Sequence, residues 1–470
     1  MRIFRLFSYL WGMRRLLLLA AFAAVACGAQ AQKEETMAQL RERVFSLAQV
    51  QTVYMDSLVM AKMPGQAGHD GGINVMAGQD NVDVMAGQDV DVMAGADRPS
   101  RTWLCPRTFQ GDTLVTSDIG WWTSGFYPGV LWRVFYETGE RTYWELAIKH
   151  TLPLAGLLDR ETDHDIGFQL MSSFGPLREF HGTSDLSRYT SVFESKVHSP
   201  DPSFVDEILS RGAAKLAARF VPEAGVIRSW NRGPWNIPVI IDNMMNLELL
   251  DEAQASPDLQ YEYWTIAEKH ALTTLKNHFR EDGTVWHLVD YADDGTALGK
   301  QTVQGYADDT AWARGQAWAL YGYARMAEAR VQWAEPEVYF KPFYDAAAKL
   351  ESWLLANLPE DGIPYWDFSQ SDYKDASAGA IIACGLLKMW RLRDCPADDP
   401  ALAMAERILR TLASPEYLAE PRTNGGFLLK HSVGNIPGHS EVDVPLTYAD
   451  YYFLEALTQY PVSATSLNNN

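Results

Sequence analysis

Asp242 is the residue whose surroundings best equip it for acid chemistry. It stands in Val239-Ile-Ile-Asp-Asn-Met-Met-Asn-Leu247, where Ile241, Met244 and Met245 flank its carboxyl group. A carboxyl group deprived of water disfavours its charged form, so its pKa rises and it keeps a proton near neutral pH. Such an acid can hand that proton to a substrate. Asp is also a favoured helix N-cap, and the two roles are compatible.

A second cluster runs Gln301-Thr-Val-Gln304-Gly-Tyr306-Ala-Asp308-Asp309-Thr-Ala-Trp312-Ala-Arg314-Gly-Gln316-Ala-Trp318. Asp308 or Asp309 would cap a helix starting at Thr310, which puts Arg314 and Trp318 four apart on one face. The guanidinium fork matches a carboxylate and the indole offers a flat apolar plate, a pair suited to a uronic acid. A cation–π or ion-pair contact between helices is the competing reading. In Asp163-His164-Asp165 a carboxylate facing Asp242 would complete the acid pair that glycosidic chemistry uses. Taken alone the triplet reads as a solvated turn. It has no partner cluster at ligand spacing, so neither metal nor cofactor is assigned. Gly120-Trp121-Trp122-Thr-Ser-Gly-Phe126-Tyr-Pro-Gly129 suits a sugar-lined pocket mouth or a tightly packed helix start. Unaided, His287 is a core histidine. Ser369, Ser371 and Lys374 would meet a sulfate, or form a solvated loop.

These residues need a frame. From Gly120 onward helical patterns alternate with Gly/Pro/Asp-rich connections, at 124–139, 142–159, 203–219, 242–254, 260–279, 309–329, 340–357, 376–393, 399–413 and 443–459. Few convincing strands accompany them. The count suggests helical hairpins in a ring or double layer, with 100–460 as one all-α domain and 461–470 as a tail. A further helix is expected over 34–62, within an N-terminal region 32–99. That region also holds Val75-Met-Ala-Gly-Gln-Asp80, which returns at 84–89 and, as Val-Met-Ala-Gly-Ala-Asp, at 92–97, and reads as a disordered or surface loop.

The formal net charge of −20, with no basic tract against it, excludes nucleic acid as a partner. Residues 1–31 read as an export signal: Arg2, Arg5, Arg14 and Arg15 precede an apolar stretch too short to span a bilayer, and Ala29-Gln30-Ala31 follows. A periplasmic location is expected. Ala24-Val25-Ala26-Cys27 also loosely resembles a lipoprotein signal, which would lipidate Cys27. No later segment is long and apolar enough to cross a membrane. Cys105, Cys384 and Cys395 read as buried small hydrophobes rather than a disulfide framework.

Together, Trp122-Thr-Ser-Gly-Phe126, His164-Asp-Ile-Gly-Phe168, Val239–Leu247, Gln304-Gly-Tyr-Ala-Asp-Asp309, Trp312-Ala-Arg-Gly-Gln-Ala-Trp318 and Ile363-Pro-Tyr-Trp-Asp-Phe368 resemble the unsaturated glucuronyl hydrolases, glycoside hydrolase family 88. The resemblance spans about 100–460 and implies an (α/α)6 barrel of six helical hairpins. It also implies removal of the terminal 4,5-unsaturated uronate of lyase-generated oligosaccharides, glycosaminoglycan disaccharides foremost, by hydration of the C4=C5 bond. By the same carry-over Asp242 protonates C4 and helps water add at C5. Asp165 holds ring hydroxyls and tunes Asp242, and Trp122, His164, His287, Gln304, Arg314 and Trp318 line the substrate pocket. An unsaturated rhamnogalacturonyl hydrolase with the same barrel, a lyase using Tyr306 and His287, and a non-catalytic glycan-binding protein are the alternatives.

Overall fold

The computed structural model describes residues 35–63 and 103–462, apart from 185 and 196. The export signal, the lipoprotein alternative at Cys27, the repeat at 75–97 and residues 463–470 lie outside the described residues.

The helices that build the barrel are α1 (Met37–Lys62), α2 (Phe126–Thr138), α3 (Arg141–Thr151), α4 (Ile166–Gly182), α5 (Pro202–Ala217), the short pair α6 (Asn243–Asn246) and α7 (Glu248–Glu252), α8 (Pro257–His278), α9 (Ala313–Arg330), α10 (Lys341–Asn357), α11 (Ala376–Leu392), α12 (Pro400–Leu412) and α13 (Thr447–Gln459), with a single turn at Pro336–Tyr339 between α9 and α10. Packing sorts them into two rings. Helices α2, α4, α6–α7, α9, α11 and α13 each contact the next, and α13 closes back on α2. Outside them lie α3, α5, α8, α10 and α12, each against the inner helix it follows, and α1 against α2 and α13. This is an (α/α)6 barrel. Inner helices α9, α11 and α13 are buried on nearly every residue, whereas outer helix α12 buries only Ala401, Ala405, Ile408, Leu409 and Leu412. Outer helices start on plain signals: Asp201 and Asp399 accept from Ser203 and Ala401 N–H ahead of Pro202 and Pro400 at the first helical position.

Nine short strands complete the fold among the described residues: β1 (Cys105–Gln110), β2 (Thr113–Ser117), β3 (Phe220–Val221), β4 (Val226–Ile227), β5 (Ile237–Ile240), β6 (Leu288–Tyr291), β7 (Ala297–Gln301), β8 (Ser432–Asn435) and β9 (Ser440–Val444). All pair antiparallel, as β1–β2, β3–β4, β5–β6–β7 and β8–β9. Every strand falls in a connection from an outer helix to the next inner one. One mouth of the barrel therefore carries the elaborated loops and all the inner-helix N-termini.

Three expectations change. The strands were not anticipated, because segments this short leave little period-two pattern. Helix α4 was missed altogether: Gly167, Ser172, Ser173, Gly175 and Pro176 make it a poor helix former by propensity. Burial offsets that, and the Ser172 and Ser173 hydroxyls donate to the carbonyls of Phe168 and Gln169. Gly167 is needed where α4 meets α6, since a Cβ there would come within 2.5 Å of Asn246 Oδ1. Finally, the ring starts before residue 100, with α1 as its twelfth helix. Cys105 and Cys384 are buried, but Cys395 is exposed. No helix among the described residues is long and apolar enough to cross a membrane.

Asp56 helps fasten α1 to α3, its Oδ1 lying 2.8 Å from both Lys149 Nζ and His150 Nε2. Burial would raise its pKa, but the bonds and charges of His150 and Lys149 outweigh burial and hold it at about 2. A folded-state pKa below the unfolded value contributes stability above the unfolded pKa, lost as pH falls through the folded one. Asp56→Ala is therefore expected to lower Tm at neutral pH by an amount corresponding to about 1–3 kcal/mol, the typical cost of orphaning buried polar partners. It should also flatten the wild-type loss of Tm between pH 4 and 2; thermal melts across that range check both.

Candidate active site

At the elaborated mouth, Asp242 follows β5 and sits at the N-terminus of α6. Its side chain makes no capping bond there, so the N-cap reading is set aside for the carboxyl group. Instead Asp242 is 8% exposed, and its Oδ2 is buried without a hydrogen-bond partner. Burial raises its pKa to about 7, against the opposing pull of Arg314, its own backbone and the Trp318 indole. His287 Nε2 lies 3.7 Å from that oxygen.

Asp165 occupies the equivalent position on α4, again without capping bonds. Burial comes first in raising its pKa well above the usual carboxylate range, followed by the charges of Asp163 and Asp242. The two acids therefore share one field. The coupling bears on Asp165, while Asp242 owes its shift to burial.

An imidazole stands beside each acid. His164 Nε2 lies 3.5 Å from Asp165 Oδ1. Asn246 uses Oδ1 to accept the Phe168 N–H at 2.7 Å, so its amide NH2 is the group that faces His164 Nδ1 at 3.4 Å. His287 Nδ1 accepts backbone N–H groups from Val303 and Gln304 at 3.1 and 3.3 Å. Both rings must then carry their proton on Nε2, the atom turned to the acids. Burial keeps both neutral, His164 with a pKa of about 4 and His287 well below its ordinary value. His287 also lies against Trp312, ring centroids 4.3 Å apart. Two fixed N–H donors thus stand beside two acids whose pKa values burial raises.

Arg314, at the start of α9, is 1% exposed. Its fork is not free for a carboxylate. It donates to the carbonyls of Val433 and, at 2.7 Å, Gly434, and lies 3.3 Å from Asp375 Oδ2. Trp312 and Tyr448 lie beneath and beside the guanidinium, at 4.6 and 5.5 Å. Trp318 is no open plate either: Phe168, Tyr452 and Tyr448 surround it at centroid distances of 5.1, 5.4 and 6.4 Å. Arg314 reaches Asp242 through its charge, and the Trp318 indole lies near it with its Nε1 making no hydrogen bond. Trp122 is half-buried against Tyr448, Phe168 and Phe126, and Gln304 sits half-buried in the loop whose N–H groups hold His287. The helix expected from Thr310 begins at Ala313 with Trp312 as its N-cap; Asp308 instead accepts from Thr302 N–H at 2.8 Å. Lys374 is tied to Asp361 at 2.9 Å and to the Ile363 carbonyl at 2.7 Å, which removes it as a sulfate contact.

Several residues were not singled out. Asn246 orients His164 from within a segment that was read for its Asp alone. Asp367 is fully buried, accepts from Tyr306 N–H and the Thr310 hydroxyl, and so secures the loop carrying Gln304. Asp375 is an N-cap of α11 that also meets Arg314. Asn246 carried a local signal in its motif; Asp375 carried an N-cap signal ahead of the helix expected from 376, but none for its contact with Arg314.

The chain is 38% identical over 347 residues to the unsaturated glucuronyl hydrolase of Formosa agariphila, covering 72% of this chain and 79% of that protein. It is 31% identical to the unsaturated glucuronyl hydrolase of Bacillus sp. (strain GL1), covering 73% and 87%. This chain belongs to the unsaturated glucuronyl hydrolase family. Among solved structures, an unsaturated glucuronyl hydrolase specific for heparin superposes with a TM-score of 0.68 at 33% identity, over 89% of this chain and 96% of that one. No protein-family model matches the chain.

The arrangement makes Arg314 the tie between α9 and the β8–β9 hairpin. Arg314→Lys keeps the charge but loses the fork that holds two carbonyls at once. The variant is expected to melt at lower temperature, by an equivalent of about 1–3 kcal/mol, and to be cut faster by protease within 432–444. Unchanged melting and cleavage would show that the hairpin is held by other contacts.

Proposed function

We propose that this chain removes the terminal 4,5-unsaturated uronate from lyase-made glycosaminoglycan disaccharides by hydrating the C4=C5 bond. One observation carries the reading: a buried Asp242, with a free oxygen and a pKa of about 7, at the mouth where every inner helix begins. Family membership favours it over the rhamnogalacturonyl and non-catalytic alternatives. The name of the heparin-specific relative favours a glycosaminoglycan source.

Protonated Asp242 delivers its proton to C4. Positive charge then develops at C5 and is shared with the ring oxygen. The resulting carboxylate, near Arg314, takes a proton from the water that adds at C5, which returns Asp242 to its starting state. The C5 hemiketal opens to a C5 ketone, which leaves a hemiacetal at C1; its collapse to an aldehyde breaks the C1–O bond and the second sugar departs as an alcohol. Asp165, whose protonated form is favoured by burial and by the charges of Asp163 and Asp242, is placed to donate to and accept from ring hydroxyls, and the Nε2–H groups of His164 and His287 fix the uronate from either side. With the Arg314 fork occupied, the uronate carboxylate draws on the positive ends of the inner helices and on these fixed donors. Trp122 and Gln304 border the same space. The export signal, read from sequence alone, would place the step in the periplasm.

Because the protonated acid is the reactive form, turnover should fall as pH rises through about 7. Asp242→Asn keeps shape but has no proton to give, and a loss of at least about 100-fold in kcat is expected, the usual worth of a positioned acid. The assay is the disappearance of ultraviolet absorbance from the conjugated double bond, with unsaturated disaccharides from chondroitin, hyaluronan, heparin and pectin. A variant retaining a tenth of wild-type turnover would overturn the role of Asp242. Turnover of the pectin product alone would overturn the substrate class.

A further inference from the structure

The loop from β4 to β5 leads out of the site. Ser229 anchors its start: its carbonyl accepts the His164 N–H at 3.1 Å, its N–H donates to Pro238 O at 2.9 Å, and its hydroxyl accepts from Ile240 N–H at 3.0 Å. Arg219 braces it further, donating to the carbonyls of Arg228, Ser229 and Thr162. Beyond that anchor stand Trp230, Arg232 and Trp235. Trp230 lies against His164 on one side and Trp235 on the other, at centroid distances of 6.3 and 5.9 Å. Trp235 is fixed by its indole N–H to Gln301 Oε1 at 3.1 Å.

Arg232 crowns this rigid base. Its guanidinium carbon sits 5.2 Å over the Trp230 ring, and its side chain is 73% exposed. Its one ion-pair neighbour is Asp163 at 3.6 Å, and it donates no hydrogen bond among the described residues. Four other cations are engaged: Arg107 is bonded to Glu441, Arg280 to the carbonyls of 308–310, Arg314 to the β8–β9 hairpin and Lys374 to Asp361. Arg232 is close enough to bear on the charges of Asp165 and His164, yet it lies on their solvent side.

Resting on the hydrolase reading above, we propose that Arg232 receives a sulfate on the second sugar, the one that leaves. The unsaturated uronate must reach the buried acids, so its neighbour lies outward, along Trp230. An anionic group there meets an unused guanidinium fork over an aromatic face, in a protein whose net charge of −20 otherwise repels anions. Arg232 is on this view a specificity-determining residue that touches the leaving sugar and not the reacting carbons.

The test compares unsaturated uronyl-glucosamine disaccharides, all without sulfate on the uronate and either N-acetylated and unsulfated or sulfated on the glucosamine, with wild type and Arg232→Gln. The ratio of kcat/KM, sulfated over unsulfated, is expected to fall at least about tenfold in the variant, carried by KM. The wild-type ratio should itself shrink as salt rises. An unchanged ratio, or an equal loss on both substrates, overturns the proposal while wild-type turnover leaves the hydrolase reading standing. Wild-type failure on both substrates, and on the other unsaturated disaccharides, overturns the hydrolase reading and this proposal with it.

Discussion

A guanidinium sealed from water draws protein oxygens to its N–H groups, and in Arg314, whose two terminal nitrogens are bonded while its Nε is left without a partner, that demand organises the site. Its fork takes the carbonyls of Val433 and Gly434 and reaches Asp375, so a helix start, a hairpin and a neighbouring helix cap are bound to one side chain. Its charge also reaches Asp242 and restrains the rise that burial imposes there. Buried alone, that acid would hold its proton too tightly to release it; beside an unopposed cation it would be ionised. The working pKa is a compromise between desolvation and one well-tethered positive charge.

The barrel supplies the rest of the environment. Since each inner helix is followed by an outer helix running back, inner helices all point the same way and their N-termini gather at one mouth. Asp165 and Asp242 each sit at such a start without capping it, so both carboxyl groups stay available while helix ends of positive character surround them. Each is matched with an imidazole whose tautomer is fixed from behind, by Asn246 or by backbone N–H groups. The arrangement puts protons on carboxyl oxygens and on Nε2 atoms, and keeps charges few.

Much of this was legible from the chain, and the misses have physical reasons. The apolar run around Asp242 announced a desolvated acid, since burial is written into its immediate neighbours. Amphipathic outer helices such as α12 showed their period plainly, but α4, glycine-rich and interrupted by Pro176, forms because the barrel buries it and not because its residues favour helix. Arg314 was expected to hold a ligand because its partners could not be seen: Val433 lies 119 residues away and contributes a carbonyl, which has no residue identity to read. Trp318 misled likewise, its face being covered by Tyr448 and Tyr452 from the far end of the chain. Tertiary partners that act through backbone atoms or through distant aromatic rings leave no local mark.

The placing of α1 has a temporal side. Gln51 donates to the carbonyl of Phe427 and accepts from Arg422 N–H, so the earliest described helix rests in part on segments made almost last. Residues 105–151 can cover part of α1 early, but until residues near 420–460 have been synthesised the rest of its apolar side stays open and the ring cannot shut. Contacts separated by so much chain are slow to form, because a long loop must be closed before they return any free energy. Closure of the ring is therefore a late event in the making of this chain, however early its first helices form.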